Sequence, residues 1–249
     1  MPAKTAITRI THSCHLIEIG GRTFLTDPWF SARPGYYQGE PIAISVGDLP
    51  GLDGVLITHE HYDHCDLDAF AAYRDLDVPL FVPSTVEQAA RQHGFTTVTT
   101  LSSWDDAEAD GVTITATPGK HGVYEITFVL RAGSDAVYFA GDTMLIPELE
   151  EIPARLGHIN LALLPTNGLH VVPAGNMQVV MNAHEAAQLT AVLQPELAIP
   201  HHYAFTKGFL GDRLITHSDK NPANYEDAAR DLAPATTVRI TDPGTRIEL

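Results

Sequence analysis

His59, His61, Asp63 and His64 place four metal-binding side chains within six consecutive residues, and imidazole with carboxylate is a donor set suited to zinc, manganese or iron. Alternate residues of an extended segment point the same way, so His59 and His61 can present two imidazoles to one ion. Asp63 shares their parity, and once the chain turns, Asp63 and His64 can face a second ion. Two ions about 3.5–4 Å apart suit ester hydrolysis, because together they hold the attacking and the leaving oxygens. A helix-capping loop with Asp63 or Asp66 as N-cap would account for the carboxylates. It would also gather several desolvated polar groups without structural gain, so the spacing favours a dinuclear centre.

Such donors need rigid elements behind them. Val55 to Thr58 reads as a buried strand running straight into the histidines, with Asp66 to Arg74 as the helix that follows. Upstream, Cys14 to Ile19 and Arg22 to Thr26 flank Gly20-Gly21, a hairpin signal. Phe30 to Glu40 is a loop rich in Gly, Pro and aromatics. Downstream, strands are expected at Leu80 to Val82, Thr97 to Leu101, Val112 to Thr117, Tyr124 to Arg131, Ala136 to Ala140, Leu161 to Leu164, Leu197 to Ile199, Val238 to Ile240 and Arg246 to Glu248. Helices are expected at Thr85 to His93, Pro147 to Leu156, His184 to Leu193 and Pro222 to Leu232. Many strands with interspersed helices imply an α/β protein with helices outside its sheets; periodicity alone does not separate a two-sheet sandwich from an open sheet.

The 249 residues suffice for one large core, and a single domain over 1–249 is expected. The apolar runs are far shorter than the roughly 20 residues of a membrane helix, and the first six residues lack the apolar core of a secretion signal. A cytoplasmic protein with no membrane span follows as the expectation. Cys14 and Cys65 make no disulfide framework. Fifteen basic against 31 acidic side chains give a net charge of -16, which argues against nucleic acid as the main substrate and for a small molecule. The Pro28 to Pro41 loop could serve a second copy of the chain, as a homo-oligomer, as readily as it could cover a site.

The segment Thr58-His59-Glu60-His61-Tyr62-Asp63-His64 resembles the HxHxDH signature of the metallo-β-lactamase superfamily. The similarity runs on, in order, through Leu25-Thr26-Asp27-Pro28, Pro118-Gly119-Lys120-His121, Phe139-Ala140-Gly141-Asp142-Thr143 and Ile199-Pro200-His201-His202-Tyr203. The resemblance implies an αββα sandwich of two mixed sheets with helices on the outer faces and a site at the sheet edges. It also implies His59, His61 and His121 at one ion, Asp63, His64 and His202 at the other, and Asp142 bridging both. His202 is preferred to its rival His201 because it directly precedes the aromatic position, Tyr203. A narrower likeness, carried by Leu164-Pro165-Thr166-Asn167-Gly168, Gly175-Asn176-Met177 and Glu185-Ala186-Ala187, is to the branch containing L-ascorbate-6-phosphate lactonase. Leu169 stands where that lactonase would carry an arginine.

The expected function is a dinuclear hydrolase, with two divalent ions, zinc or manganese, whose bridging hydroxide attacks a lactone or carboxylic ester. Asp63 and Asp142 would guide the proton, and Lys120, Asn167 and His184 would contact substrate. A phosphodiesterase acting on a small or lipid-derived substrate, and a non-hydrolytic iron redox protein, are the alternatives. His12 reads as a core or surface residue in preference to a site residue, and His93 and His158 suit helix C-termini.

Overall fold

The computed structural model describes residues 5–249; the N-terminal expectation falls partly on residues 1–4, outside the described residues. The chain opens with the antiparallel β1 (Ala6–Thr11), β2 (Cys14–Ile19) and β3 (Arg22–Thr26) and continues into the parallel β4 (Gly54–Leu56), β5 (Leu80–Val82) and β6 (Val98–Thr100). The turn between β2 and β3 has both glycines at positive φ, +60° at Gly20 and +78° at Gly21, as a two-residue hairpin whose twist matches its strands requires. A second antiparallel run comprises β7 (Asp106–Ala109), β8 (Val112–Pro118), β9 (Ile126–Ala132) and β10 (Asp135–Phe139), and β11 (Leu161–Pro165) joins it in parallel. The short β12 (Leu169–Val171) and β13 (Met177–Gln178) then leave the sheet and β14 (Leu197–His201) rejoins it. Next, β15 (Ile215–His217) pairs with β12, β16 (Thr237–Val238) extends the second sheet and β17 (Arg246–Glu248) returns to β1.

Two seven-stranded mixed sheets result, ordered β17-β1-β2-β3-β4-β5-β6 and β16-β14-β11-β10-β9-β8-β7, with a three-stranded sheet β13-β12-β15 beside them. Side chains alternate across a strand: Phe128, Leu130, Val137, Phe139, Leu161 and Leu163 meet Ile17, Phe24 and Leu56 between the sheets. Their neighbours Val129, Tyr138, Ala162 and Leu164 face outward. On that outer face lie α3 (Ile152–Leu156), α4 (Ala183–Leu193) and α6 (Ala223–Leu232). The first sheet is covered by α1 (Leu67–Phe70) and α2 (Ser84–Gln92), while α5 (Gly208–Gly211) lies in the loop after β14. The four layers are the expected αββα sandwich. No described helix is long and apolar enough to cross a membrane.

Several elements depart from expectation. The helix expected over Asp66 to Arg74 is one turn, because beyond Phe70 the backbone bonds tighten to Ala72→Ala69 and Tyr73→Phe70, and the Tyr73 hydroxyl donates to the Pro50 carbonyl. β1 and β7 had no sequence signal: β1, Ala-Ile-Thr-Arg-Ile-Thr, is buried throughout, so no polar alternation marks it. The little third sheet escaped because its strands have two or three residues each.

Candidate metal centre

One edge of the sandwich receives the site. β8 and β10 both run antiparallel to β9 and so share a direction, which β11 and β14 continue. Their exits carry His121, Asp142 and His202, while His59 to His64 follow β4 and Asp27 follows β3. The backbone is bent hard here: φ is positive at Asp27 (+33°), Gly141 (+53°) and His202 (+62°). At Gly141 a Cβ would lie 2.6 Å from Glu125 Oε1 and 2.8 Å from Thr58 Cγ2, so glycine is needed for both conformation and space.

Three imidazole nitrogens converge first. His59 Nε2 and His121 Nε2 each lie 3.1 Å from His61 Nδ1. The opposite nitrogens fix the tautomers. His121 Nδ1 lies 2.6 Å from the Val179 carbonyl, to which it must donate. Thr58 Oγ1 spends its proton on Asp27 and so accepts from His59 Nδ1 at 3.0 Å. A neutral imidazole has one donor, so both Nε2 atoms turn bare lone pairs on His61; a single His61 Nδ1–H can serve only one of them well, whereas a cation satisfies both. Tetrahedral Zn–N bonds of about 2.0–2.1 Å put ligand atoms about 3.3 Å apart, close to the spacing seen. Burial holds all three imidazoles below the ordinary range, His61 to about 4.

The second group is His12, Asp63, His64 and His202, and Asp142 with His59 and His64 links the two. Asp142 Oδ2 lies 3.2 Å from His64 Nε2 and 2.7 Å from His202 Nε2. His64 Nδ1 donates to Asp27 Oδ2 at 2.6 Å, which aims Nε2 into the site. Burial opposes protonation of His64, but Asp142 and Asp27 on either side outweigh it and raise its pKa well above the usual value. Asp142 goes the other way: burial alone would raise it, and His202 and His64 hold it well below the carboxylate range. Behind the cluster Glu125, fully buried, accepts the Asp142 amide at 2.7 Å and lies 3.4 Å from His59 Nδ1. Burial, then the Asp142 charge, push its pKa well up.

All seven residues proposed as ligands from the sequence thus meet at one place. His201 does not join them; it is buried one layer below, 2.9 Å from Ser13 Oγ. Cys65 is also outside the donor groups. The substrate candidates are placed elsewhere than expected. A cavity of about 230 Å³ opens over His61, Asp63, His121, Asp142 and His202, walled by Tyr36, Leu169, Val171, Val179, Phe205, Lys207 and Ile215. Lys120, Asn167 and His184 are not in that wall. Lys120 and His184 are exposed, and Asn167 is buried with its amide on His217 Nδ1 at 2.8 Å. Lys207 is the cation of the wall, its Nζ 3.2 Å from the Tyr36 ring centre. Glu125 went unread in the sequence, because an acidic residue at the start of an apolar strand carries no sign of burial; His12, read as core or surface in preference to the site, is buried and stands among the donors of the second group.

The sequence profile of the β-lactamase superfamily domain matches residues 22–203. A UPF0173 metal-dependent hydrolase of Deinococcus radiodurans is 26% identical over 256 residues, covering 98% of this chain and 99% of that protein. Igni18 of Ignicoccus hospitalis, described as a novel metallo hydrolase, superposes with a TM-score of 0.76 at 24% identity, covering 99% of both chains. CmlA of Streptomyces venezuelae, a diiron β-hydroxylase, gives 0.76 at 19% identity over 54% of its own length. The chain belongs to the metallo-β-lactamase superfamily. Within it, this is a metal-dependent hydrolase, the class to which its full-length relatives are assigned.

Proposed function

We propose that the protein is a dinuclear metal-dependent hydrolase that opens a lactone or carboxylic ester of a small molecule. The observation that carries this is two convergent sets of metal-donor side chains, one of His59, His61 and His121 and one including Asp63, His64 and His202, joined through Asp142 at a small apolar cavity. What a bound pair of divalent ions, zinc or manganese, supplies is a water molecule deprotonated near neutral pH and charge compensation at the reacting oxygen. The chain's residues do the rest. Asp63 and Asp142, both in the cavity floor, are positioned to orient that water and guide its proton. Leu169, Val171, Phe205 and Ile215 hold an apolar acyl portion and exclude bulk water, and Lys207 at the wall accommodates the carboxylate released.

Leu169 also bears on the narrower likeness to the lactonase branch. An alkyl side chain lines the cavity where that lactonase would carry an arginine, which supports an unphosphorylated substrate. The unpaired thiols of Cys14 and Cys65 support a cytoplasmic setting. The test is turnover of a panel of lactones, carboxylic esters and phosphodiesters by protein loaded with zinc or manganese. Lactone or ester hydrolysis that falls at least about 100-fold in His61→Ala is the expected result; hydrolysis of phosphodiesters alone overturns the ester reading. A second reading, iron redox chemistry, is favoured by one observation: imidazole and carboxylate donors suit iron equally, and the CmlA fold carries a diiron centre. Iron recovered in protein purified without added metal would decide for it.

A further inference from the structure

Resting on the dinuclear reading, we propose that His12 is a further protein ligand of the second ion, beside Asp63, His64, His202 and the shared Asp142, so that the two ions are unequal. His12 is wholly buried, and neither ring nitrogen has a hydrogen-bond partner. A buried polar group left so costs free energy unless something in the site engages it. Its Nε2 lies 3.7 Å from Asp63 Oδ2, and its ligand atom is within 4.8 Å of those of Asp63, His64 and His202. The other side of the ring is filled by Trp29, edge-on at 4.8 Å between centroids, and His202 lies 4.2 Å away.

The backbone around His12 is built to hold it there. His12 has φ +48°, a conformation costly for a side chain with Cβ. Its amide donates to Glu40 Oε1 at 2.6 Å, and that carboxylate is clamped by buried Arg9, also at 2.6 Å. The strain thus aims one imidazole at the cluster. His12 is absent from the cavity wall, so it has no direct access to substrate. The consequence is an asymmetry of donors: His59, His61 and His121 would give the first ion three imidazoles, whereas His12, Asp63, His64 and His202 would give the second three imidazoles and a carboxylate, with Asp142 shared.

The test is metal stoichiometry and affinity, with His12→Asn as the main variant because asparagine tolerates positive φ and His12→Ala as the second. Zinc per chain is measured after dialysis, and dissociation constants by competition with a chromophoric chelator. Wild type should hold two ions, and both variants should keep one at wild-type affinity while the other weakens at least about 100-fold, beyond the 10–100-fold typical of outer-sphere changes. X-ray absorption of the wild-type zinc protein adds a readout that needs no variant: three imidazoles at each ion, against three and two without His12. Two ions at unchanged affinity in both variants, or fewer than three imidazoles per ion on average, overturn the His12 assignment alone. Wild type holding fewer than two ions overturns the dinuclear reading and this inference with it.

Discussion

At the scale of single residues, the site works through the atoms behind the donors as much as through the donors. Asp27 takes the Nδ1 proton of His64, the Val179 carbonyl takes that of His121, and Thr58 takes that of His59. Each fixes which nitrogen is offered to the cluster, the role outer hydrogen bonds have at metal sites. Asp27→Asn is the sharpest probe, since asparagine keeps the shape and tolerates the φ of +33° but holds His64 less firmly in its tautomer. Metal affinity should fall about 10–100-fold, and metal-free stability should fall too, because an amide nitrogen cannot accept the bonds that Asp27 Oδ2 takes from Thr58 and His64; chelator competition and a urea titration read the two separately. Unchanged affinity would mean that Asp27 plays no part in aiming His64.

At the scale of elements, the exits of the parallel strands decide whether the donors meet. The β10 exit is the tightest: Gly141 packs onto Glu125 and Thr58, and Glu125 in turn holds the Asp142 amide. Gly141→Ala adds a left-handed penalty and a steric conflict, and should destabilise by about 3 kcal/mol, with loss of the ion bridged by Asp142. Gly133→Ala is the matched control. Its φ is +60°, but nothing lies within 4 Å of the added Cβ, so only the backbone cost of about 1 kcal/mol remains. Equal losses in urea midpoint for the two variants would refute the crowding at β10. The loop of residues 30–40 belongs to this scale as well: Tyr36 walls the cavity and Tyr37 bridges to Thr206, so that loop covers the site.

At the scale of the whole molecule, metal bound at the proposed site would join the two sheets. His59, His61, Asp63 and His64 come from the first sheet and His121, Asp142 and His202 from the second, so ions binding both sets cross-link the sandwich in the native state only. Ligand linkage gives about 4 kcal/mol per ion at a thousandfold excess over Kd, which for a domain of this size is a Tm rise of roughly 8–16 °C. Stripping the protein with a chelator should lower Tm by that order. The shift should be larger at pH 8 than at pH 6: the raised pKa of His64 means that metal must displace a proton there, and that competition eases as pH rises. No shift in Tm at either pH would show that native and unfolded chains bind metal alike.

Local chemistry alone determined which residues could be ligands. The spacing of His59, His61, Asp63 and His64 and the resemblance extending to His121, Asp142 and His202 were legible because donor type and strand parity are properties of short segments. The αββα layering followed from the same resemblance. Burial, tautomer and reach belong to contacts between distant segments, and only the tertiary structure decided those. It brought Glu125 and Asp27 behind the histidines and put Lys207 in the cavity wall in place of Lys120, Asn167 and His184. It also set His12, at the end of a strand without alternation, against Asp63 and His202. A short segment specifies what a side chain can bind; the packing of two sheets specifies what it meets.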